Sequence, residues 1–508
     1  MRAILAIDQG TTGSTSMVIG EDGRVLGRAY SEFRQHFPEP GWVEHDAGEI
    51  WEVTLAVARE AMAAAGAHVA KGTAGTEGVD VAGVGITNQR ETVVVWDRET
   101  GEPIHRAIVW QDRRTAGRCR ELEKAGALPL VRGRTGLVID PYFSGTKIEW
   151  ILDHVDGARE RAAAGELAAG TIDSWLIWKL TGGRVHATDP TNASRTMLYN
   201  IDRREWDDEL LDLLRVPRAV LPEVRPSSGD FGATRTELFD RAIPVAGVAG
   251  DQQAALFGQG CWRAGLAKNT YGTGAFLLLH TGHERIESGS GLLTTIACDE
   301  RGQPAYALEG AIFVAGAAVQ WLRDGLGLLA TADETAGLAG DLPSNDGVYF
   351  VPAFVGLGAP HWEAEARGTL VGLTRGTDTR HLARATLEAM AYSTRDVLLS
   401  MQKDSGVEAR ELAVDGGAAD NDWMMQFQAD ILRLPVRRPQ NLETTALGAA
   451  GLAGLATGVW ETADDFLGVR PEPDHFEPGM DDDARNALLA GWARAVETAL
   501  HWARSHDG

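Results

Sequence analysis

The sequence is poor in cysteine and short of positive charge. Only three cysteines occur in 508 residues, Cys119, Cys261 and Cys298, and their wide spacing forms neither a zinc motif nor a disulfide framework. Lysine and arginine together number 48 against 72 acidic residues, and the formal net charge of -24 would repel nucleic acid and anionic membranes. The composition therefore predicts a protein of the reducing cytoplasm that has no nucleic-acid partner.

Long apolar runs are also missing. The opening segment MRAILAI is followed at once by Asp8, so it does not predict a signal peptide. No stretch of about 18 apolar residues predicts a membrane-spanning helix, and we expect no membrane insertion. With 44% hydrophobic residues the chain can nevertheless bury large cores, and its length predicts two or a few domains.

Two turns rich in Gly and Thr stand about half a chain apart. The first runs from Asp8 to Gly13 between alternating apolar residues that predict two strands, and the second is Gly272-Thr273-Gly274. Glycine lets such a turn point backbone N–H groups at an anion, which suits phosphate. Each turn alone is equally consistent with an ordinary Gly-rich hairpin. Together they predict a duplicated α/β fold that holds one nucleotide.

Several local patterns predict helices and their ends. The segment from Asp46 to Glu49 has the capping-box pattern and predicts a helix to about Ala65. Asp420 or Asn421 is expected to cap a helix over residues 422–432. The domain boundary is predicted near the strand that ends at Gly250, between residues 254 and 255.

Two carboxylates and an Arg-Glu pair are the candidate chemical groups. Asp8 and Asp251 each end an apolar strand in one half of the duplicated plan and are expected to meet across a cleft. Helix N-capping is the alternative role for Asp251, and the two roles are compatible. Arg90 and Glu91 can bracket neighbouring hydroxyls of a polyol, whereas the alternative is a solvated, charged hairpin. For two aromatic residues near polar loops, Trp110 and Phe276, core packing is the default interpretation.

The motifs resemble the carbohydrate kinase family of the actin-like ATPase fold, and within it the members that phosphorylate glycerol. The segments that carry the resemblance are residues 8–12 (DQGTT), 85–92 (GITNQRET), 140–147 (DPYFSGTK), 250–258 (GDQQAALFG) and 268–274 (KNTYGTG). The resemblance covers nearly the whole chain in order. It implies two RNase-H-like domains, 1–254 and 255–508, each a mixed β-sheet flanked by helices, with a cleft between them. It also implies phosphorylation of glycerol by ATP to sn-glycerol 3-phosphate with Mg²⁺, in a cytoplasmic homo-oligomer (dimer or tetramer).

The resemblance also assigns roles to individual positions. Asp251 would be the catalytic base, and Asp8 and Asp251 would hold Mg²⁺. The residues implied to bind glycerol are Arg90, Glu91, Trp110, Tyr142, Asp251, Gln252 and Phe276. The residues implied to bind the nucleotide are Thr11, Thr12, Gly13, Gly272, Thr273, Gly316, Gln320, Gly417 and Asn421. Such a set suffices for phosphoryl transfer, which depends on positioning and charge neutralisation.

One position departs from the family pattern. Thr15 stands just after the first turn, where relatives often have Arg, so one expected positive contact to phosphate is missing. The phosphate charge would then rest more heavily on Mg²⁺, on backbone amides and on Lys268, which stands beside the second turn. Two rival functions remain at this point: a sister kinase that acts on a ketose or tetritol, and a nucleotide switch without an acceptor pocket.

Overall fold

The computed structural model describes residues 1–71 and 78–504. Its first half contains ten α-helices and fourteen strands among those residues. The strands are β1 (Arg2–Gln9), β2 (Gly13–Gly20), β3 (Val25–Glu32), β4 (Gln35–His36), β5 (Glu44–His45), β6 (Asp80–Asn88), β7 (Val93–Asp97), β8 (Ala107–Ile108), β9 (Leu167–Thr171), β10 (Ala187–Thr188), β11 (Tyr199–Asn200), β12 (Glu205–Trp206), β13 (Glu223–Val224) and β14 (Val245–Gly250). The helices are α1 (Ala47–Lys71), α2 (Ala116–Lys124), α3 (Leu128–Thr135), α4 (Ser144–His154), α5 (Ala158–Ala163), α6 (Ile172–Thr181), α7 (Pro190–Ala193), α8 (Asp208–Leu213), α9 (Thr236–Phe239) and α10 (Asp251–Gly258).

The described part of the second half contains nine strands and seven α-helices. The strands are β15 (Leu266–Tyr271), β16 (Ala275–Gly282), β17 (Leu293–Cys298), β18 (Pro304–Ile312), β19 (Tyr349–Val351), β20 (Thr369–Val371), β21 (Glu411–Asp415), β22 (Val436–Arg438) and β23 (Asp474–Phe476). The helices are α11 (Gly316–Gln320), α12 (Glu334–Gly340), α13 (Thr379–Ser405), α14 (Asp422–Leu432), α15 (Thr444–Thr457), α16 (Ala463–Gly468) and α17 (Asp482–Arg504).

The two main sheets share one topology. The first has the order β14-β6-β1-β2-β3, and the second contains the run β22-β21-β15-β16-β18, which is the same order in the corresponding strands. In each sheet the hairpin strands pair antiparallel and the later strands pair parallel. The prediction of a duplicated α/β fold with two mixed sheets is therefore confirmed.

Helices α10 and α15 cross between the two sheets. Helix α10 contacts β15, β16 and β17 of the second half, while α15 packs on β1, β6 and β14 of the first half. The two helices approach so closely that a Cβ at Gly448 would lie 1.8 Å from the carbonyl oxygen of Ala254, a contact that only glycine permits. The predicted boundary between residues 254 and 255 lies within α10, and the division of the chain there stays a prediction.

Local sequence signals are borne out unevenly. Asp46 caps α1, since its Oδ1 accepts from the backbone N–H groups of Gly48 and Glu49. Glu49 turns away and accepts from the backbone N–H of Arg34, so the reciprocal half of the predicted capping box is wrong. Helix α1 also continues past the predicted end at Ala65. Asn421 caps α14, as predicted, by accepting from the N–H of Met424 at 2.9 Å.

The helices that face the first sheet complete its core. Trp175 on α6 is fully buried, and Ile50 and Trp51 on α1 belong to the same apolar cluster.

Across residues 1–71 and 78–504, no helix is both long and apolar enough to cross a membrane. All three cysteines are buried and unpaired.

Candidate active site

A cavity of about 1010 Å³ opens between the two halves. Its wall includes Trp110 and Tyr142 from the first half and Phe276 and Glu309 from the second. The rings of Trp110 and Tyr142 meet edge to face with centroids 5.6 Å apart, and Trp110 Nε1 donates to Thr11 Oγ1 at 3.0 Å. Trp110 and Phe276 are each partly exposed to this space. The core-packing alternative for both residues is therefore wrong.

Arg90 and Glu91 follow β6 and are buried, with exposed fractions of 3% and 1%. Arg90 Nη1 donates to Glu309 Oε2 at 2.6 Å, and Arg195 Nε donates to Glu91 Oε1 at 2.7 Å. Lys147 Nζ also donates to the carbonyl oxygen of Glu91 at 3.2 Å. Because every one of these charged groups is paired in the interior, the solvated-hairpin alternative for Arg90 and Glu91 is wrong.

Asp251 is the first residue of α10, and Gly250 holds the N-cap position. The capping alternative for Asp251 is therefore not supported, although one oxygen accepts from the N–H of Gln252 at 2.7 Å. The same oxygen lies 3.1 Å from Arg90 Nε. About a third of the side chain (32%) remains exposed, so the carboxylate is both oriented by an arginine and accessible to a reactant.

Asp8 is the last residue but one of β1, beside the first turn, and its Oδ2 accepts from Thr445 Oγ1 at 2.5 Å. Burial raises the pKa of Asp8 to about 7, and the charges of Asp251 and Glu443 push the pKa the same way against the effect of the Thr445 hydrogen bond. Asp8 and Asp251 therefore interact, but both belong to the first half, Asp8 on β1 and Asp251 directly after β14 of the same sheet. The expectation that they stand on opposite halves and meet across the cleft is wrong. A local excess of negative charge of this kind suits a divalent cation.

Lys268, on the strand that leads into the second turn, is not free to bind phosphate. Lys268 is fully buried on β15 and donates to Gln252 Oε1 and, at 2.8 Å, to Thr270 Oγ1. Burial lowers the pKa of Lys268 to about 8. The expectation that Lys268 compensates for the missing arginine at Thr15 is not supported, because its ammonium group is occupied in holding Gln252 and Thr270.

A second cavity, of about 780 Å³, adjoins the second turn. Its wall contains every predicted nucleotide-binding residue of the second half, namely Gly272, Thr273, Gly316, Gln320, Gly417 and Asn421. Gly316 N–H donates to the carbonyl of Gly272 at 3.0 Å, which brings the start of α11 onto the turn. Thr11, Thr12 and Gly13 do not line this cavity; they lie at the first turn, across the cleft.

The glycine-rich end of β21 shapes the floor of this second cavity. Gly416 has φ +84°, and a Cβ there would lie 2.2 Å from the carbonyl oxygen of Tyr271. Because glycine has no side chain, the backbone at position 416 can pass this close to Tyr271 and turn tightly into Gly417 and the helix that Asn421 caps. Asn421 also donates to Thr335 Oγ1 at 3.2 Å, which ties α14 to α12 on the opposite wall.

Sequence reasoning missed Arg195, Glu309 and Thr445. Arg195 lies 104 residues from Glu91 and 114 residues from Glu309 along the chain, and Thr445 lies 437 residues from Asp8. No spacing signal reaches over such separations. One signal could have pointed to a buried ion pair: Glu309 is the only charged residue in the strand β18, which is otherwise uncharged.

Comparisons with known proteins agree with this geometry. The N-terminal domain model of the FGGY family of carbohydrate kinases matches residues 3–258, and the C-terminal domain model of the same family matches residues 267–457.

Curated relatives match over nearly their full length. A protein named glycerol kinase from Thermus thermophilus is 57% identical over 498 residues, which is 98% of this chain and 99% of that protein. A protein named glycerol kinase 2 from Thermotoga maritima is 55% identical over 502 residues, 99% of each. The crystal structure of Plasmodium falciparum glycerol kinase with ADP superimposes with a TM-score of 0.92 at 36% identity and covers 98% of both chains. The chain therefore belongs to the FGGY family of carbohydrate kinases.

Proposed function

We propose that this carbohydrate kinase transfers the γ-phosphoryl group of ATP to a terminal hydroxyl of glycerol. The observation that carries the proposal is the larger cavity, which Trp110, Tyr142, Phe276 and Glu309 line, together with Arg90, which pairs with both Glu309 and the partly exposed Asp251. Aromatic faces suit a short carbon chain, and fixed charged groups suit its hydroxyls. The close relatives named glycerol kinase support the same acceptor.

Asp251 is proposed as the general base. It takes the proton of the attacking hydroxyl while the new O–P bond forms and the bond between the γ-phosphorus and the bridging oxygen breaks, which releases ADP. Arg90 Nε, 3.1 Å from the carboxylate, fixes the orientation of the Asp251 side chain. Arg90, Glu91, Tyr142 and Gln252 bind the hydroxyls, while Trp110 and Phe276 contact the carbon chain.

Asp8 and Asp251 would hold Mg²⁺, and their chemistry fits this ion. Among the described residues no cluster of three or more His, Cys, Asp or Glu side chains forms a complete metal cage. Mg²⁺ commonly uses one or two carboxylates together with phosphate oxygens and water, which matches a pair of aspartates. When bound, the ion neutralises charge on the phosphates.

The nucleotide is proposed to span both turns. Its adenosine part occupies the 780 Å³ cavity, where Gly316, Gln320, Gly417 and Asn421 lie, and its phosphates reach Thr273 and the first turn at Thr11, Thr12 and Gly13. A cytoplasmic location, assembly into a homo-dimer or homo-tetramer, and the division at residues 254 and 255 stay predictions.

A coupled ADP-release assay, run with and without glycerol at saturating Mg²⁺ and ATP, tests the proposal. We expect ADP release to depend on glycerol and to fall when Mg²⁺ is chelated. A panel of tetritols and ketoses, run in the same assay, decides between glycerol and the acceptor of a sister kinase. A higher kcat/KM for a panel member than for glycerol would overturn the acceptor assignment, and ADP release without any acceptor would favour the nucleotide switch.

A further inference from the structure

A series of ion pairs links the first half to the second half beside the acceptor cavity. Glu309 lies on β18 of the second sheet and is 3% exposed. Its carboxylate accepts from Arg90 at 2.6 and 3.3 Å and from Arg195 Nη2 at 2.8 Å. Both arginines belong to the first half. Glu309 is thus a direct tie between the first-half acceptor residues and the second-half sheet.

Besides Glu309, each arginine also pairs with a carboxylate of the proposed acceptor site. Arg195 Nε donates to Glu91 Oε1 at 2.7 Å, and Arg90 Nε lies 3.1 Å from Asp251 Oδ1. Acid and base therefore alternate along the series Glu91, Arg195, Glu309, Arg90 and Asp251. Hydrogen bonds between ionised groups are short and directional, so they fix orientation as well as charge.

Burial makes the orientation of both arginines depend on Glu309. Burial would raise the pKa of Glu309, but the guanidinium groups of Arg195 and Arg90 outweigh it and lower the pKa to about 2. Glu309 is therefore an anion throughout the neutral range. Without Glu309, Arg90 keeps Asp251 and Arg195 keeps Glu91 as carboxylate partners, but each guanidinium loses the bond that fixes its orientation relative to the second half.

The strand that carries Glu309 also leads to the phosphate site. Strand β18 pairs with β16, where Leu278 lies opposite Glu309 and Phe276 lies opposite Ala311. Strand β16 begins directly after the second Gly/Thr turn. Glu309 therefore links the acceptor residues to the strand pair that sets the position of this turn. Small misplacements between nucleophile and phosphate, of about 1 Å, can cost about a hundredfold in rate.

We propose that Glu309 is a positioning residue that acts through Arg90 and Arg195 to hold Asp251 and Glu91 at the correct distance from the second phosphate turn. This inference rests on the proposed function, because it takes Arg90, Glu91 and Asp251 as the acceptor site.

The decisive variant is Glu309→Gln, which keeps the size of the side chain and removes its charge. We expect the KM for the acceptor to rise at least about tenfold and kcat to fall, while the KM for ATP stays within about twofold of wild type. Glu309→Asp keeps the charge on a shorter side chain, and we expect its acceptor KM to lie between those of the wild type and Glu309→Gln. If Glu309 only stabilised the fold, Glu309→Gln would lower the melting temperature and leave the KM values for acceptor and ATP unchanged.

Glu388 on α13 provides a matched control. It is also a buried glutamate of the second half that pairs with an arginine, Arg384, at 2.7 Å, and it accepts from Asn345 at 2.8 Å. Glu388→Gln should lower the melting temperature without changing the acceptor KM.

Two results would contradict the positioning role of Glu309. An unchanged acceptor KM in folded Glu309→Gln, or an equal rise in the KM values for acceptor and ATP, overturns the proposal. If Glu309→Gln does not fold, Glu309→Asp carries the test, and a wild-type acceptor KM in that variant overturns it. The wild type is assayed first with glycerol and the polyol panel. If it prefers another acceptor, the glycerol assignment fails, and the positioning role is measured with the preferred acceptor instead.

Discussion

The two Gly/Thr hairpins share a backbone and differ in the side chains at matching positions. Asp8 stands two residues before Gly10 and lies opposite Thr15, whereas Thr270 stands two residues before Gly272 and lies opposite Phe276. Residues directly opposite in an antiparallel pair share one face of the sheet. The first hairpin therefore presents a carboxylate and a hydroxyl where the second presents a hydroxyl and an aromatic ring.

The crossing helices differ in the same way. Helix α10 begins with Asp251, while α15 begins with Thr444 and Thr445. Each helix start reaches into the other half, since Thr445 donates to Asp8 and Gln252 accepts from Lys268. Duplication supplies a symmetric frame around the cleft. The chemistry comes from the asymmetry of its side chains, with Asp8 and Asp251 both on the first half.

The strongest test of this asymmetry removes the carboxylate of Asp251. Asn at this position can still bond a hydroxyl but cannot take its proton, so Asp251→Asn should lower turnover by about a hundredfold to ten-thousandfold. The melting temperature and calorimetric glycerol binding should largely survive, because Gly250 and not Asp251 holds the N-cap. Near-normal turnover in a folded variant that binds glycerol would remove Asp251 from the mechanism.

The second test compares Phe276 in the second hairpin with Thr15, the residue at the matching position of the first hairpin. Phe276→Ala should raise the KM for glycerol by about tenfold to a hundredfold, since the loss of one aromatic wall forfeits about 1.5 to 3 kcal/mol of apolar contact. Thr15→Ala, at the matching place in the first hairpin, should leave that KM unchanged. Steady-state kinetics at saturating ATP measure both. An unchanged constant in Phe276→Ala would exclude this residue from the acceptor wall.

A third test uses the pH dependence of stability. In the folded, metal-free protein the pKa of Asp8 is raised from 3.8 to about 7. Between these two pH values the folded protein therefore retains a proton on Asp8 that the unfolded chain has released. The contribution of Asp8 to stability is therefore fully present below about pH 4 and is lost as the pH rises through 7. Relative to wild type, Asp8→Asn should gain a few degrees in melting temperature between pH 5 and pH 8.

Thermal melts in a chelating buffer measure this difference. Thr87→Val is the control, because Thr87 lies beside Asp8 in the parallel register of β1 and β6 and carries no ionisable group. Its difference from wild type should not vary with pH. A pH-independent gap between Asp8→Asn and wild type would contradict the raised pKa of Asp8.

The smallest expected effect comes from Thr15→Arg, which would bring the first hairpin closer to the family pattern. Thr15 lies opposite Asp8 and is 8% exposed, and the long arginine side chain can extend from there toward the phosphates. A charge-assisted bond of about 1.5 to 3 kcal/mol before reorganisation would leave activity intact and the KM for ATP equal or lower. Complete loss of activity in a folded variant would show that another group already fills that space.

Local sequence predicted those parts of the fold whose causes are local. Glycine turns, strand alternation and the cap at Asn421 depend on residues within a few positions of one another, and each is found in the structure. The capping box at Asp46 failed in one half, because Glu49 is within reach of a backbone N–H on Arg34 that lies far outside the local window. A tertiary partner overrode the local preference there.

The sequence by itself determined the duplicated plan, the two phosphate turns, the candidate acid groups and, through its motifs, the family. Tertiary structure alone decided that Glu309 and Arg195 hold Arg90 and Glu91, that Thr445 holds Asp8, and that Lys268 serves Gln252. The physical reason is that these side chains are buried ions and their close partners, which are stable only when each charge is paired. Those pairs form between residues more than a hundred positions apart or across the two halves, where chain folding and not sequence spacing sets the distance.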